Sequence, residues 1–223
     1  MPVNHAYPSG DRRPIASRQW KVSQIAAQWL ASRGVSPNAI SLLGMGFGLM
    51  AGIDLWAAGI TPRFERGLWL AAAACIQLRL LANMLDGMVA IQTRRASPLG
   101  ELYNEVPDRV SDSAALIGLG FAPHSSPLLG LAAALAAVLT AYIRAVGKVA
   151  GAQQEFCGPM AKQHRMFVLT LFAVFCGVAP VGWRHIGTVP LAQIVLGVIM
   201  VGSFGTALRR LSRIRAALKR EKA

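Results

Sequence analysis

Two stretches of the chain place carboxylate and amide side chains at the ends of apolar segments. In the first, Asn83 and Asp86 are three residues apart and point the same way if that segment stays helical to its end. In the second, a helix that restarts near residues 97 and 98 places Asn104, Asp108 and Asp112 on one face. Oxygen ligands without histidine or cysteine favour a hard cation such as Mg²⁺ or Mn²⁺. If the two faces converge, we expect these five residues to hold a divalent cation that bridges carboxylates to substrate phosphates.

A plainer interpretation of the same acids is that they only solvate helix ends. Glu101 and Glu105 lie beside the second face, and Pro107 predicts either a kink that re-aims Asp108 or a helix that begins later. A carboxylate at membrane depth is costly enough to make function the default hypothesis. Two further charged residues within apolar stretches, Asp54 and Arg79, are candidates to pair with each other.

The composition indicates an all-α integral membrane protein. Of 223 residues, 54% are hydrophobic and 15% are charged, and the mean hydropathy is +0.44. Several stretches run about 18 residues or more with almost no charge, the length that a helix needs to cross a bilayer. A disordered chain and a disulfide scaffold are excluded. The pattern predicts about six transmembrane helices, at residues 39–60, 68–90, 110–122, 128–146, 166–181 and 189–207.

The basic residues indicate how these helices are oriented. Of the 23 Lys and Arg residues, 18 fall on one side of the predicted spans and three on the other. Because positive charge is retained in the cytoplasm, both termini and both polar stretches are expected there. The net charge of +13 is thus explained by topology and by attraction to anionic lipid headgroups rather than by nucleic acid.

The segment before the first span has the pattern of a surface helix. Its opening is polar and does not look like a cleavable signal peptide. Apolar residues then recur at helical spacing, with polar residues on the other face, which predicts an amphipathic helix on the cytoplasmic membrane surface. The apolar positions are Val22, Ile25, Ala26, Trp29 and Leu30. We predict three regions: a cytoplasmic N-terminal segment (1–35), a six-helix transmembrane catalytic domain (36–207) and a basic cytoplasmic tail (208–223).

The two polar stretches together resemble the signature of the CDP-alcohol phosphatidyltransferase family. That signature is DxxDGxxAR, eight residues, G, three residues, D, three residues and D. Fixing its register on Asp86 and Gly87 places Ala90, Gly100 and Asp108 at the alanine, the later glycine and the last aspartate. The start of the first span also looks like the family's PNxIT-type entry; it reads Ser36, Pro37, Asn38, Ala39, Ile40 and Ser41.

The chain departs from the signature at three positions. Asn83 and Asn104 stand where the family has its first and third aspartates, and Ile91 replaces the arginine. In the family the four acids hold divalent metal and the last is thought to act as general base, which implies that role for Asp108. The amides still offer carbonyl oxygens, but each removes one negative charge. Weaker metal binding, one metal instead of two, or rescue by Glu105 or Asp112 all stay open.

The resemblance implies further substrate contacts and an activity. Gly87, Ala90 and Gly100 would approach the nucleotide, while Arg144 and Arg165 would bind a phosphate of the acceptor. The implied reaction transfers the phosphatidyl group of CDP-diacylglycerol to an alcohol, releases CMP and needs Mg²⁺ or Mn²⁺. A homodimer in the bacterial inner membrane, with a cytoplasmic active site, is also expected. The alternatives are a non-catalytic relative that binds nucleotide-lipid or a partner enzyme, and a small transporter.

Overall fold

The computed structural model describes residues 20–94 and 98–220. In this part of the chain the backbone forms seven α-helices, two 3₁₀ turns and one two-stranded antiparallel hairpin. The helices are α1 (Lys21–Ser32), α2 (Pro37–Ile60), α3 (Glu65–Gln92), α4 (Pro98–Gly120), α5 (Pro127–Val149), α6 (Lys162–Val178) and α7 (Leu191–Arg220). The 3₁₀ turns are Pro62–Phe64 and Val181–Arg184, and the hairpin pairs β1 (His185–Ile186) with β2 (Val189–Pro190). The all-α prediction is confirmed apart from this hairpin.

Four helical segments are long and apolar enough to cross a membrane. They are Pro37–Ile60, Pro62–Gln92, Pro127–Val149 and Leu191–Arg220. The predicted spans at 110–122 and 166–181 coincide with α4 and α6, which are not among these four. The physical reason is that α4 carries a row of charged residues, whereas α6 has only 17 residues and includes two buried or half-buried cations. The chain is therefore described as an all-α membrane protein, and six spans stay a prediction.

Helix α2 packs closely against α3 and α4 along its small residues. A Cβ atom added at Gly48 would overlap the side chain of Ser111, and one added at Gly52 would lie 2.5 Å from the carbonyl oxygen of Ala114. Such contacts exist only because glycine lets two helix backbones approach each other. In the sequence, Gly44, Gly48 and Gly52 recur at every fourth residue, a spacing that predicts such a close approach of helices. The structure confirms this packing, which brings the polar face of α4 against α2.

The starts of α2 and α4 bring polar residues to the same end of the bundle. Ser36 caps α2 by accepting a hydrogen bond from the backbone nitrogen of Ala39 at 3.2 Å, and Pro37 occupies the first helical position. Helix α4 begins at Pro98 and continues through Pro107, so the helix does not start later. The hydroxyl of Ser111 donates to the carbonyl of Pro107 at 2.7 Å. Residues 104–112 consequently share one continuous helical frame.

Helices α1 and α7 are the first and last helices of the described residues. Helix α1 buries Ala27 against α3 and leaves Val22, Ile25 and Trp29 exposed, which provides the apolar face expected of a surface helix. Helix α7 continues to Arg220 without a break. The last predicted span and the described part of the basic tail therefore share one helix, and the boundary between span and tail at residue 207 stays a prediction.

The apolar core lies toward the end of the bundle where α2 ends and α3 begins. Its large buried side chains include Trp69, Leu116, Leu169 and Leu196. A smaller apolar cluster joins α1 to the last turns of α3. Four of the predicted site residues lie between these two clusters, where α2 and α4 begin and α3 approaches its end; they are Asn83, Asp86, Asn104 and Asp108.

Candidate active site

A small polar cavity forms where α2, α3 and α4 meet. It brings together four of the five predicted metal ligands, and the fifth lies one turn deeper on α4. The lining residues are Ser41, Gly44 and Met45 from α2, Arg79, Asn83 and Asp86 from α3, and Asn104, Pro107, Asp108 and Ser111 from α4. The two helical faces inferred from residue spacing do converge, because the glycines of α2 let α3 and α4 pack against the same helix.

Asp86 is a buried carboxylate with one oxygen still available. Its side chain is 3% exposed, and Oδ2 accepts a hydrogen bond from the hydroxyl of Ser41 at 2.6 Å. Its Oδ1 atom is buried without a hydrogen-bond partner among the described residues. A buried carboxylate oxygen without a partner is unusual, and such an atom is often a ligand of a bound ion. Asp86 is thus the residue best placed to hold a cation.

Asn83 connects the two helices through its amide. The hydrogen-bond network assigns the amide orientation, with Oδ1 facing Lys162 Nζ at 2.7 Å. In this orientation the amide nitrogen donates to Asn104 Oδ1 at 2.9 Å and to Asp108 Oδ1 at 3.2 Å. The two amides that replace signature aspartates therefore bond to each other, and they leave only Asp86 and Asp108 as carboxylates lining the cavity.

Asp108 is held by cationic side chains. Arg79 Nη2 donates to its Oδ1 at 3.0 Å and to its carbonyl oxygen at 3.2 Å. Lys162 Nζ donates to Oδ2, and Arg109 Nη2 lies 3.4 Å from the same oxygen. The carboxylate is 8% exposed, so these ion pairs are largely shielded from water. Asp108 is oriented on both of its oxygens.

Asp112 lies beyond the cavity, in a second ion-pair layer. Its Oδ1 atom is 2.6 Å from Arg79 Nη2, and its Oδ2 atom accepts from Arg165 Nη2 at 3.3 Å. Arg165 is 1% exposed and also donates to the carbonyl of Met160 at 2.8 Å. Asp112 and Arg165 pair with each other outside the cavity lining. The roles of Asp112 as a metal ligand and of Arg165 as a phosphate contact stay predictions. Sequence spacing could not show that the two side chains meet.

The other predicted substrate contacts lie outside the cavity lining. Gly87 and Ala90 follow Asp86 toward the end of α3, and Gly100 is in the first turn of α4. Arg144 on α5 donates to Glu105 at 2.5 Å, which joins the start of α4 to the end of α5. The roles of these four residues in substrate binding stay predictions.

Three residues around the cavity were not assigned to the metal site from sequence. Ser41 orients Asp86, while Arg79 and Lys162 hold Asp108. The expected pairing of Asp54 with Arg79 is wrong, because Arg79 points to α4 instead. A signal was present for Arg79, since residues 79, 83 and 86 recur at the spacing of one helical face. No local pattern pointed from Lys162 to α4.

The donor set fits one hard cation. Asp86 contributes the unpartnered Oδ1 atom, and oxygens of Asn104 and Asp108 line the same cavity. Among the described residues, no group of three or more His, Cys, Asp or Glu side chains is placed to hold a metal. This follows from the two amides, since only two acids remain at the cavity. A divalent cation here depends on amide oxygens and on oxygens from a bound substrate.

The chain has relatives and structural neighbours among membrane lipid enzymes. No family model matches it. It is 28% identical over 195 residues to phosphatidylinositol phosphate synthase of Streptomyces avermitilis, an alignment covering 85% of this chain and 76% of the relative. It is 26% identical over 152 residues to the inner membrane protein YnbA of Escherichia coli K12, covering 68% of this chain and 73% of the relative.

The fold matches solved structures of Mycobacterium tuberculosis phosphatidylinositol phosphate synthase, PgsA1. The structure in complex with manganese and citrate gives a TM-score of 0.70 at 20% identity, covering 87% of this chain and 90% of the other. The structure with CDP-DAG bound gives a TM-score of 0.69 at 19% sequence identity, and the match covers 87% of this chain and 94% of the other chain.

The fold, the polar cavity and the named relatives together indicate a membrane-embedded transferase of lipid synthesis. The chain is similar in sequence to phosphatidylinositol phosphate synthases and archaetidylinositol phosphate synthases, which agrees with the resemblance of its signature residues to the CDP-alcohol phosphatidyltransferase family. In this chain, amides stand at two of the four aspartate positions of that signature.

Proposed function

We propose that the protein transfers a phosphatidyl group from CDP-diacylglycerol to an alcohol acceptor and releases CMP. The observation that carries this proposal is the convergence of the four signature positions, Asn83, Asp86, Asn104 and Asp108, on one cavity. Two of the curated relatives support it by name, and one structural neighbour contains CDP-DAG. The reaction is therefore a phosphotransfer at the end of a helical bundle.

The chemistry requires one bond to form and one to break at the same phosphorus atom. The acceptor oxygen attacks the phosphorus that carries diacylglycerol, and the bond from this phosphorus to the CMP oxygen breaks. CMP leaves with the electron pair, and the hydroxyl proton is lost from the acceptor. We assign the role of proton acceptor to Asp108, because hydrogen bonds from Arg79 and Lys162 hold both oxygens of this carboxylate in position at the cavity.

The residues around Asp108 act before and during this transfer. Arg79 orients the carboxylate and compensates its charge, and Lys162 contacts both this carboxylate and the amide of Asn83. A divalent cation held by Asp86 together with Asn104 and Asp108 would supply neutralisation of the diphosphate and of the leaving phosphate. Burial of the site in a helical bundle limits the access of water, which would otherwise compete with the alcohol.

We further propose how the protein sits in the membrane. Six helices, α2 to α7, span the bilayer of a bacterial inner membrane, with α1 lying on the cytoplasmic surface. The exposed apolar side chains of Val22, Ile25 and Trp29 support the placement of α1, and the distribution of basic residues supports cytoplasmic termini and a cytoplasmic active site. By analogy with the family, the protein is a homodimer.

The test is CMP release by the purified protein in detergent. CDP-diacylglycerol, Mg²⁺ or Mn²⁺ and a panel of alcohols, including an inositol phosphate, are supplied, and the lipids are identified by mass spectrometry. Metal-dependent CMP together with a new phosphodiester lipid is the expected result. Asp108→Asn should lower the rate by about 10²- to 10⁴-fold, as expected for loss of a general base. Glu155→Gln, a carboxylate outside the site, is the control and should retain the rate.

A second candidate function is binding without catalysis. It is favoured by the ion pairs of Asp108, since both of its oxygens are already engaged by Arg79 and Lys162. In that case CDP-diacylglycerol binds, but no CMP appears with either metal or any acceptor. Full activity of Asp108→Asn would separately refute the role assigned to this carboxylate.

A further inference from the structure

Three buried carboxylates, two buried arginines and one lysine whose side chain is 14% exposed lie together around the cavity. The acids are Asp86, Asp108 and Asp112, and the bases are Arg79, Lys162 and Arg165. The formal charges of these six side chains cancel before any metal binds. Arg109, which lies 3.4 Å from Asp108 Oδ2, also lies 3.6 Å from Glu105 Oε2, an acid outside this set. Buried charges that lack counter-ions are strongly disfavoured, so this balance is the condition under which the cluster is stable. A metal site made of four carboxylates would have the opposite character, since it would be strongly negative until cations arrive.

The ammonium group of Lys162 lies among the oxygens that α3 and α4 direct into the site. It is 2.7 Å from Asn83 Oδ1 and donates to Asp108 Oδ2. Arg79 engages the other oxygen of Asp108 and continues to Asp112. The side of the cavity around Asp108 is thus already supplied with positive charge. Asp86 Oδ1 is a buried oxygen without a hydrogen-bond partner among the described residues, whereas Asp112 Oδ1 lies 2.6 Å from Arg79 Nη2.

We propose that Arg79 and Lys162 are built-in counter-ions that replace the charge of one divalent cation. The site then binds a single Mg²⁺ or Mn²⁺ at Asp86, and binds it tightly only when a diphosphate is bound as well. This inference rests on the proposed function for the identity of that diphosphate, CDP-diacylglycerol.

The coupling follows from the charge balance. A divalent cation added alone leaves the neutral cluster with two excess positive charges in a poorly hydrated place. A diphosphate provides negative charge and oxygen ligands, which offset the excess. Each ligand therefore increases the affinity of the other, and by thermodynamic linkage the two effects are equal. The amides at 83 and 104 fit this arrangement, because Arg79 and Lys162 already balance the carboxylate of Asp108. Acids at these two positions would add negative charge without further counter-ions.

The experiment counts Mn²⁺ ions by electron paramagnetic resonance, in which free Mn²⁺ gives the signal. Purified protein in detergent micelles is titrated with Mn²⁺, with and without CDP-diacylglycerol. One Mn²⁺ per chain is expected, and the lipid should increase its affinity by about tenfold or more, within the range typical of coupled sites. Turnover is not needed for this readout.

The variants test whether the charge of Lys162 is responsible. Lys162→Met should bind Mn²⁺ without lipid about tenfold more tightly than the wild type, or bind a second ion. Lys162→Arg keeps the charge and should resemble the wild type. Lys219→Met removes an exposed lysine at the end of α7 and is the matched control. If Lys162→Met does not fold, Asn83→Asp should increase lipid-free Mn²⁺ affinity instead, because it adds a carboxylate beside the ammonium.

The opposite results would overturn the inference. These are two Mn²⁺ ions bound by the wild type without lipid, or the same Mn²⁺ binding in Lys162→Met, Lys162→Arg and the wild type. A protein that binds Mn²⁺ as proposed but releases no CMP would contradict the proposed function alone. Mn²⁺ binding by the variants is measured without lipid and without turnover, so it tests the inference independently of the proposed function.

Discussion

Arg79 offers the sharpest test of how the buried charges hold the fold together. It is 2% exposed and lies 3.0 Å from Asp108 Oδ1 and 2.6 Å from Asp112 Oδ1. Arg79→Met removes the cation while keeping most of the side-chain volume. Two carboxylates one helical turn apart then lose a shared counter-ion, and we expect a marked loss of stability.

The magnitude follows from the depth of the pair. Two unit charges about 4 Å apart attract by roughly 4 kcal/mol at an effective dielectric constant of about 20. Removing one partner of a buried pair typically costs about 3–5 kcal/mol, because the remaining charge stays buried. We therefore expect Arg79→Met to lower the free energy of unfolding by about 3–5 kcal/mol. Asp112→Asn combined with Arg79→Met should cost less than the sum of the two single variants, by about 2–3 kcal/mol.

The assay is reversible unfolding in mixed detergent micelles, followed by circular dichroism, for both single variants and the double variant. Arg213 and Glu155 form the control pair: their charged atoms are 3.5 Å apart and Arg213 is half exposed. A cycle of Arg213→Met and Glu155→Gln should give a coupling below about 1 kcal/mol. Additive effects of the Arg79 and Asp112 variants, or an Arg79→Met cost no larger than that of Arg213→Met, would refute the reasoning.

Two smaller changes test the helix packing and the orientation of Asp86. Gly48→Ala places a methyl group against α4 and should lower the free energy of unfolding by about 1–3 kcal/mol. The control Gly46→Ala, whose added methyl group meets no atom within 4 Å, should be neutral or stabilising. Thermal denaturation measures both variants, and equal melting temperatures would contradict the packing. Ser41→Ala removes the hydroxyl that orients Asp86 and should weaken Mn²⁺ binding by about 10- to 100-fold. The exposed control Ser212→Ala should bind Mn²⁺ like the wild type. Unchanged Mn²⁺ binding by Ser41→Ala would show that this hydrogen bond does not support a metal ligand.

The structure shows which side chains contact the two amides that depart from the family signature. Asn83 and Asn104 bond to each other, and Asn83 also accepts from Lys162. Carboxylates at both positions, packed this closely, would repel each other unless cations lay between them. The amides and the buried cations are therefore parts of one electrostatic arrangement. Treating the amides only as lost ligands overlooks the charge supplied by α3 and α6.

The sequence determined the local features of the site. Helical spacing placed Asn83 and Asp86 on one face and Asn104 and Asp108 on another, and the glycine pattern of α2 predicted a close approach of helices. These inferences succeed because they depend on the 3.6-residue repeat and on side-chain size, which are properties of neighbouring residues. The register with the family signature located the same residues independently.

The tertiary structure decided which charges meet. Arg79 pairs with Asp108 and Asp112 rather than with Asp54, and Lys162 reaches the site from a helix 54 residues away in the chain. These contacts depend on how each helix is rotated and packed against the others, which no local pattern specifies. The sequence by itself thus determined which residues share a helix face, whereas only the packing of α3, α4 and α6 decided that the acids of this site carry their own counter-ions.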